Sequence, residues 1–438
     1  MLYRKIQKKI EDFLNNNPNK VLIIEGARQI GKTFIVREVC KKLYPNFIEI
    51  NMLQDKIGKA EFSNVRTIED FYLKVSGIAG AKIGTKDNTI IFIDEIQTYP
   101  ELITLLKFLK DDNRYNYIAS GSLLGVTLSE ITSIPIGTIE VMNMYPLDFE
   151  EFLYANNVGV EYIEAIKNKL VKSETLDNND HNKLIELFKK YILIGGLPDA
   201  INTYLKTYNI HEVRKIQNTI ISLYKEDCSK YEKSKKLIIQ RIYELIPSNM
   251  ENKKKRLVSK DIENKSGKTV EDYQNELLYL ISSGIVLEVK SVSEPKFPLL
   301  QSTTKSLVKL YMNDVGLLSC LLYNDNVSAV MDDEENVNLG SVYETVVAQE
   351  LKAHEKTLYY YDNKKNGEVD FLVDDYSSLS VLPIEVKSGR NYYVHSAINN
   401  LLKIDNYVIK KAIVLSNDAT IKKSNNIIYM PIYGIFLI

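Results

Sequence analysis

Cysteine is scarce in this chain. The three present, Cys40, Cys228 and Cys320, are far apart, odd in number and without metal-ligand spacing. That excludes a disulfide framework or a cysteine metal cluster and fits free thiols in a reducing compartment. An excess of either charge is also missing, since 56 Lys and Arg stand against 57 Asp and Glu, for a net charge of -1. Proteins that hold nucleic acid by bulk charge are basic, so any such role here has to rest on a local patch. No apolar run is long enough to span a membrane, and the opening Met1-Leu2-Tyr3-Arg4-Lys5 leads into a charged amphipathic helix rather than a signal peptide. The expectation is a cytoplasmic protein with no membrane partner. Glycine is modest, at 19 of 438 residues, so a local glycine pattern is informative. The remainder, 45% apolar and 26% charged, is ordinary for a globular protein, and about 100–200 residues per domain predicts roughly two to four domains.

Residues 26–33 read Gly26-Ala27-Arg28-Gln29-Ile30-Gly31-Lys32-Thr33, a complete phosphate-binding loop. The apolar Val21-Leu22-Ile23-Ile24 precedes it and the helix-compatible Phe34-Ile35-Val36-Arg37-Glu38-Val39 follows. That order of strand, loop and helix gives the motif its physical meaning. The two glycines let the backbone curl with its N–H groups inward, at the positive end of the next helix, so a triphosphate is held before any side chain helps. Lys32 is expected to reach the β- and γ-phosphates and Thr33 to place a hydroxyl on Mg²⁺, with the run through Phe34 as the ATP-binding segment.

Such a loop needs a carboxylate element, and Thr89-Ile90-Ile91-Phe92-Ile93-Asp94-Glu95 supplies one. It is an apolar run ending in two acids, as expected of a strand buried on both faces of a parallel sheet. Asp94 is expected to hold Mg²⁺ and Glu95 to polarise the attacking water as general base. A further strand over residues 115–119 ends in Ser120-Gly121-Ser122, where Ser120 and Ser122 are candidates for sensing the γ-phosphate. Strand and helix segments alternate through residue 125, which favours a parallel sheet covered by helices.

From 151 to about 225 the pattern is helical, broken by a polar stretch at 173–182 and by Gly195-Gly196-Leu197-Pro198. The spacing of Ile238, Ile239, Ile242, Leu245 and Ile246 predicts an amphipathic helix that stops at Pro247. A second helix is expected over 258–264 and a third over 269–280, where Thr269 and Asp272 form a capping box. Strands at 285–289 and 307–312 follow. Three helices and a hairpin make a winged helix, a fold that reads DNA or docks proteins. Between 251 and 268 lie Lys253, Lys254, Lys255, Arg256, Lys260, Lys265 and Lys268 against Glu251, Asp261 and Glu263, a local basic patch able to meet phosphates.

The acidic stretch at 332–336 reads as a linker, after which a new alternation begins. On a helix over 341–353, Glu344 shares a face with Val347, Ala348 and Leu351, so its carboxylate is directed inward, where an acid needs a cation or a donor. Two strands follow, at 367–373 with Asp370 and at 382–388 with Glu385 and Lys387 projecting from one face. An Asp, a Glu-x-Lys on the neighbouring strand and a helical Glu form the arrangement of restriction-type nucleases. Glu344, Asp370 and Glu385 are the expected oxygen ligands of a second Mg²⁺, with Lys387 orienting water and stabilising the phosphate. His354 and His395 read as lone surface histidines.

Taken together, residues 26–33, 92–95, Gly121-Ser122, Tyr145-Pro146-Leu147-Asp148-Phe149-Glu150-Glu151-Phe152 and Gly195-Gly196-Leu197-Pro198 resemble a prokaryotic family of AAA-type ATPases whose C-terminal half is restriction-endonuclease-like. The resemblance spans almost the whole chain. It implies an α/β protein: a P-loop core of the additional-strand, catalytic-glutamate type at 1–150, a helical lid at 151–225, a winged-helix segment at 226–330 and a nuclease-like domain at 331–438. Relatives often carry a basic residue before the Tyr-Pro-Leu block, where this chain has Gly137-Thr138, so its arginine finger is unassigned among Arg28, Arg37 and Arg114. The expected partners are ATP with Mg²⁺, and DNA, RNA or a docking protein met through the two C-terminal segments. The alternative is an ATP-dependent switch or adaptor whose nuclease-like domain is inert. Oligomeric state is left open.

Overall fold

The computed structural model describes all residues except 17–19, 55–58, 81–82, 123–136, 229–234, 254, 264–266, 335–336 and 390–392. They form two bodies, one built on residues 4–145 and one on 146–438.

In the first body, helix α1 (Lys5–Asn16) buries Ile6, Ile10 and Phe13 along one stripe. Five strands follow: β1 (Val21–Glu25), β2 (Asn46–Asn51), β3 (Thr89–Asp94), β4 (Asn116–Gly121) and β5 (Ile139–Asn143). Helices α2 (Lys32–Leu43), α3 (Ile68–Ala79) and α4 (Glu101–Asp112) form the crossovers between them. All pairings are parallel and the order is β2-β3-β4-β1-β5. An extra strand, β4, thus separates the strand before the phosphate loop from the strand that ends in the acidic pair. Every residue of β3 is buried, which explains its unbroken apolar run. The main core of this body joins Ile48, Ile50, Ile91 and Ile93 to Phe71, Val75, Leu102 and Leu106 of α3 and α4. Parallel strands present their carboxyl ends along one edge, and Glu25, Asn51, Asp94 and Gly121 all end there.

The second body opens with helices α5 (Phe149–Ala155), α6 (Val160–Val171), α7 (Asn178–Ile194), α8 (Pro198–Thr207) and α9 (Ile210–Asp227). The stretch expected to be a lid is helical, and α7 and α9 pack against the later helix Val315–Tyr323. Buried Arg214 of α9 donates to the carbonyls of Leu193 and Asn324 and to Ser319 Oγ. Next come α10 (Lys236–Glu251), a single turn at Ser259–Ile262, α11 (Val270–Tyr273, a 3-10 turn), α12 (Gln274–Ser282), β6 (Val286–Val292), β7 (Thr303–Met312) and α13 (Val315–Tyr323). The helix predicted to stop at Pro247 continues through it to Glu251, because Asn249 and Met250 are buried beyond the proline. The predicted 258–264 helix shrinks to one turn. The Thr269–Asp272 capping box is present.

The chain ends with α14 (Gly340–Ala353), β8 (Tyr359–Asn363), β9 (Gly367–Asp375), β10 (Ser380–Val386), α15 (Ser396–Leu401), β11 (Ala412–Ser416), β12 (Lys422–Ser424) and β13 (Ile427–Pro431). Its eight-stranded mixed sheet has the order β12-β13-β11-β10-β9-β8-β6-β7. β6 pairs in parallel with β8, so the hairpin expected to be the wing of a separate domain is instead the flank of the C-terminal sheet. The acidic stretch is also less free than a linker, since Lys189 holds Asp333 at 2.7 Å and Ser328 donates to Glu334; residues 335 and 336 lie outside the described residues.

Candidate functional site: a nucleotide loop and a buried carboxylate cluster

The loop between β1 and α2 holds its shape through the backbone. Gly31 takes φ 91°, a conformation that a side chain disfavours, and Lys32 starts the helix directly after it. The first turn of α2 carries no acid, which leaves its positive end available to an anion. Lys32 is buried, and its Nζ donates to the carbonyls of Gly26 (2.9 Å) and Ala27 (2.7 Å). Burial pushes its pKa down to about 8, against the opposing pull of Glu95 and Asp94. Arg4 was not singled out from the sequence, yet its buried guanidinium donates to the carbonyls of Ile30 (2.9 Å) and Tyr145 (2.6 Å) and so braces the loop from behind. Phe34, expected to belong to the binding segment, is 52% exposed on α2.

The sheet order brings the other expected residues together. Thr33 Oγ1 donates to Asp94 at 3.0 Å, and Asn51, directly beside Asp94 in register, donates at 3.1 Å. Ser120, at the end of the inserted strand β4, also hydrogen-bonds Asp94. Burial raises the Asp94 pKa and Ser120 counters it. Glu95 adopts left-handed backbone at φ 56°, uncommon for a residue with a side chain, and accepts from Ser122 at 3.0 Å and from Gln97 Nε2 at 2.5 Å. Gln97 is a second residue the sequence reading passed over. Its position two residues after Glu95 carries no signal until the 3-10 turn Ile96–Thr98 folds it back.

Of the three arginines considered, Arg37 is engaged by Glu49 through two contacts and Arg114 lies over the Tyr72 ring beside Asp112. Arg28 donates to Ser122 Oγ at 3.4 Å, at the edge of the site itself.

In the second body, Asp370 and Glu385 lie on adjacent antiparallel strands, and Val386 N donates to Asp370 Oδ2 at 2.8 Å. Lys387 falls just past the end of β10 rather than within it, and its Nζ reaches Glu385 Oε1 at 2.8 Å. Burial drives the Asp370 pKa well up, with Glu385 and Glu344 adding to it. Tyr311 donates to Glu344 Oε2 at 3.0 Å, and the Lys255 ammonium binds the other oxygen. The three expected carboxylates therefore come together with lysines among them. Among the described residues, no group of three or more His, Cys, Asp or Glu side chains is arranged to hold a metal ion.

The basic patch is partly spent in the same way. Lys255 is paired with Glu344, Arg256 with Asp362 and Lys268 with Glu263; Lys253 and Lys260 are exposed, and Lys254 and Lys265 lie outside the described residues. The histidines were misread as well. His395 is buried with Nε2 at 2.6 Å from the Tyr429 hydroxyl, and His354, with 17% side-chain exposure, lies 3.7 Å from Asp148.

A parallel sheet with a strand inserted between the phosphate loop and the acidic pair defines a P-loop protein of the AAA class. The AAA domain family profile matches residues 18–153, and two domains of unknown function, DUF8612 and DUF4143, match 185–328 and 339–435. Residues 18–153 thus carry an AAA-type P-loop domain, which is followed by a C-terminal domain of unknown function. The chain is 24% identical to an uncharacterized protein of Methanocaldococcus jannaschii over 100% of this chain and 88% of that one. It is 25% identical to an uncharacterized protein of Haemophilus influenzae over 46% of this chain and 43% of that one. Among solved structures, a Walker-type ATPase of Pyrococcus abyssi is similar at 13% identity and TM-score 0.44, covering 73% of this chain and 96% of its own. No helix among the described residues is long and apolar enough to cross a membrane.

Proposed function

We propose that the protein binds ATP with Mg²⁺ and hydrolyses it. The observation that carries this reading is the contact of Thr33 with Asp94 at 3.0 Å, which joins the phosphate loop to the acidic end of β3 across the inserted strand. A hydroxyl and a carboxylate are the hard oxygen donors that Mg²⁺ selects. Bound there, the ion would neutralise charge on the phosphates. Lys32 holds the β- and γ-phosphates, Glu95 takes the proton of the attacking water, and Ser120 and Ser122 tie both acids to the strand that faces the γ-phosphate. Lys32→Ala is expected to abolish ATP binding by calorimetry, and Glu95→Gln to keep binding while phosphate release falls by about 100-fold or more. Hydrolysis at the wild-type rate in Lys32→Ala would sink the assignment.

For the C-terminal body, we infer that the nucleotide cycle acts on a nuclease-like module that meets DNA or RNA. What supports this is the succession of α14, β8, β9, β10, α15 and β11, with Asp370, Glu385 and Lys387 at the junction of the two central strands. The second reading, an ATP-dependent switch or adaptor with an inert domain, is favoured by the lysine partners of Glu344 and Glu385. Cleavage of single- or double-stranded DNA or RNA with Mg²⁺ or Mn²⁺, lost in Asp370→Ala, distinguishes the two. The buried, unpaired state of Cys40, Cys228 and Cys320 supports a cytoplasmic setting.

A further inference from the structure

In ATP hydrolysis the transferred phosphoryl group carries negative charge spread over its oxygens, and a cation set beside it accelerates the step. The first body carries five arginines, Arg4, Arg28, Arg37, Arg66 and Arg114. Four of them are committed elsewhere. Arg4 braces the loop from behind through the carbonyls of Ile30 and Tyr145, and Arg37 is held by Glu49. Arg66 donates to the carbonyls of Ser63 and Val65, both at 3.1 Å. Arg114 lies over the Tyr72 ring just before β4, whose six residues separate it from Ser122 by about 20 Å.

Arg28 is placed differently. It is the third residue of the phosphate loop, and Gln29 directly after it takes left-handed backbone at φ 64°, uncommon for a residue with a side chain. Its Nε donates to Ser122 Oγ at 3.4 Å, and the same hydroxyl donates to Glu95 Oε2 at 3.0 Å. One hydroxyl thus separates the guanidinium from the carboxylate assigned to the attacking water. Arg28 also lies near enough to Lys32 to oppose its charge. Burial is the main force lowering the Lys32 pKa, Glu95 and Asp94 pull it back up, and Arg28 adds to the lowering. Two cations brought together on one loop, at the positive end of α2, repel each other until an anion lies between them. A γ-phosphate that meets Lys32 on one side and water held by Glu95 on the other falls beside Arg28.

We propose that Arg28 contacts the γ-phosphate from within the same chain and stabilises the charge that develops on it during hydrolysis. The proposal rests on the reading of this loop as an ATPase site. In that step the water oxygen bonds to the γ-phosphorus, and the bond from that phosphorus to the β,γ-bridging oxygen breaks. The electron pair stays on ADP, Glu95 takes the water proton, and inorganic phosphate is released. Arg28 makes and breaks no covalent bond. Its planar fork matches two phosphate oxygens at once, a geometry that the point charge of a lysine lacks.

The test compares ATP hydrolysis by full-length wild type and Arg28→Gln, with affinities for ADP and a non-hydrolysable ATP analogue measured by calorimetry. In Arg28→Gln, kcat is expected to fall by about 100-fold or more and affinity for the ATP analogue several-fold, while ADP affinity stays within about twofold. Hydrolysis within about threefold of wild type overturns the proposal and leaves the ATPase reading standing, whereas no hydrolysis by wild type overturns both. An equal loss of ADP and analogue binding makes Arg28 a support of the loop's shape and sinks the contact. A mixture of Arg28→Gln with Lys32→Ala is expected to stay inactive; recovered activity would place the arginine on a second chain and overturn the proposal. A measurement on the unmodified chain guards against a variant that misfolds. Phenylglyoxal labelling of Arg28, read by mass spectrometry, is expected to fall several-fold with the ATP analogue and to be unchanged with ADP. Equal protection by both nucleotides counts against a contact with the γ-phosphate.

Discussion

Lys32 illustrates how burial sets the working range of a single residue. With its pKa near 8, the nucleotide-free protein carries the charge below that pH and loses it above, while a bound triphosphate favours the charged form. Binding must then take up a proton above about pH 8, so ATP affinity is expected to fall as pH rises from 8 to 10. In Lys32→Arg, whose guanidinium stays charged, that fall should vanish even if affinity is lower throughout; a parallel decline in both proteins would assign it to another group. Gln97 is the residue-scale lesson in what spacing hides. Its amide holds Glu95 at 2.5 Å, so Gln97→Ala is expected to lower kcat by about tenfold to 100-fold with KM for ATP within about twofold, as steady-state kinetics would reveal. A rise in KM at constant kcat would instead place Gln97 in nucleotide binding.

At the scale of elements, the two blocks that carry the family resemblance but no chemistry turn out to be one structural joint. Asp148 caps α5 by accepting from Glu151 N at 2.8 Å, and Asp148 N donates in turn to the Glu151 carboxylate. Leu147 N donates to the Gly196 carbonyl at 2.7 Å, while Gly196 N donates to Asp314, the cap of α13, at 2.6 Å. A Cβ on Gly196 would lie 2.1 Å from the Leu147 oxygen, with no flexible side chain there to yield. Gly196→Ala is therefore expected to cost about 3 kcal/mol or more and to lower the calorimetric midpoint by several degrees. Asp148→Ala, which removes a cap, should cost about 1–2 kcal/mol by urea unfolding. A Gly196→Ala protein as stable as wild type would show that the joint is loose. The helix predicted to stop at Pro247 failed for the reason these blocks succeed: what decides a boundary is the packing on its far side, and local propensity is only a weak prior.

At the scale of the whole molecule, the boundary expected at residue 330 crosses a continuous sheet. β6, which carries β7 on its other edge, pairs onto β8 from after it, and Glu350 of α14 accepts from Phe149 N at 2.8 Å and from the Tyr191 hydroxyl at 3.0 Å. Residues 146–438 are accordingly expected to unfold in a single thermal transition, whereas a fragment ending at 330 exposes the edge of β6 and should aggregate or lack a cooperative transition. Two separate transitions for 146–438 would restore the boundary.

What the sequence determined by itself is the local chemistry of the nucleotide site. A phosphate loop needs only adjacent residues, two glycines, a lysine and a hydroxyl between a strand and a helix, and the acidic pair after a fully buried strand is equally local. Only the tertiary structure decided which side chains meet across distance. It placed Arg4 behind the loop, folded Gln97 onto Glu95 and set Lys255 against Glu344, 89 positions away. It also merged the expected wing with the C-terminal sheet. The physical reason is common to all of these: a lone lysine, glutamine or hairpin reads the same in sequence whether solvent or a buried carboxylate faces it, and strand pairing across a long connection leaves no periodicity in the chain.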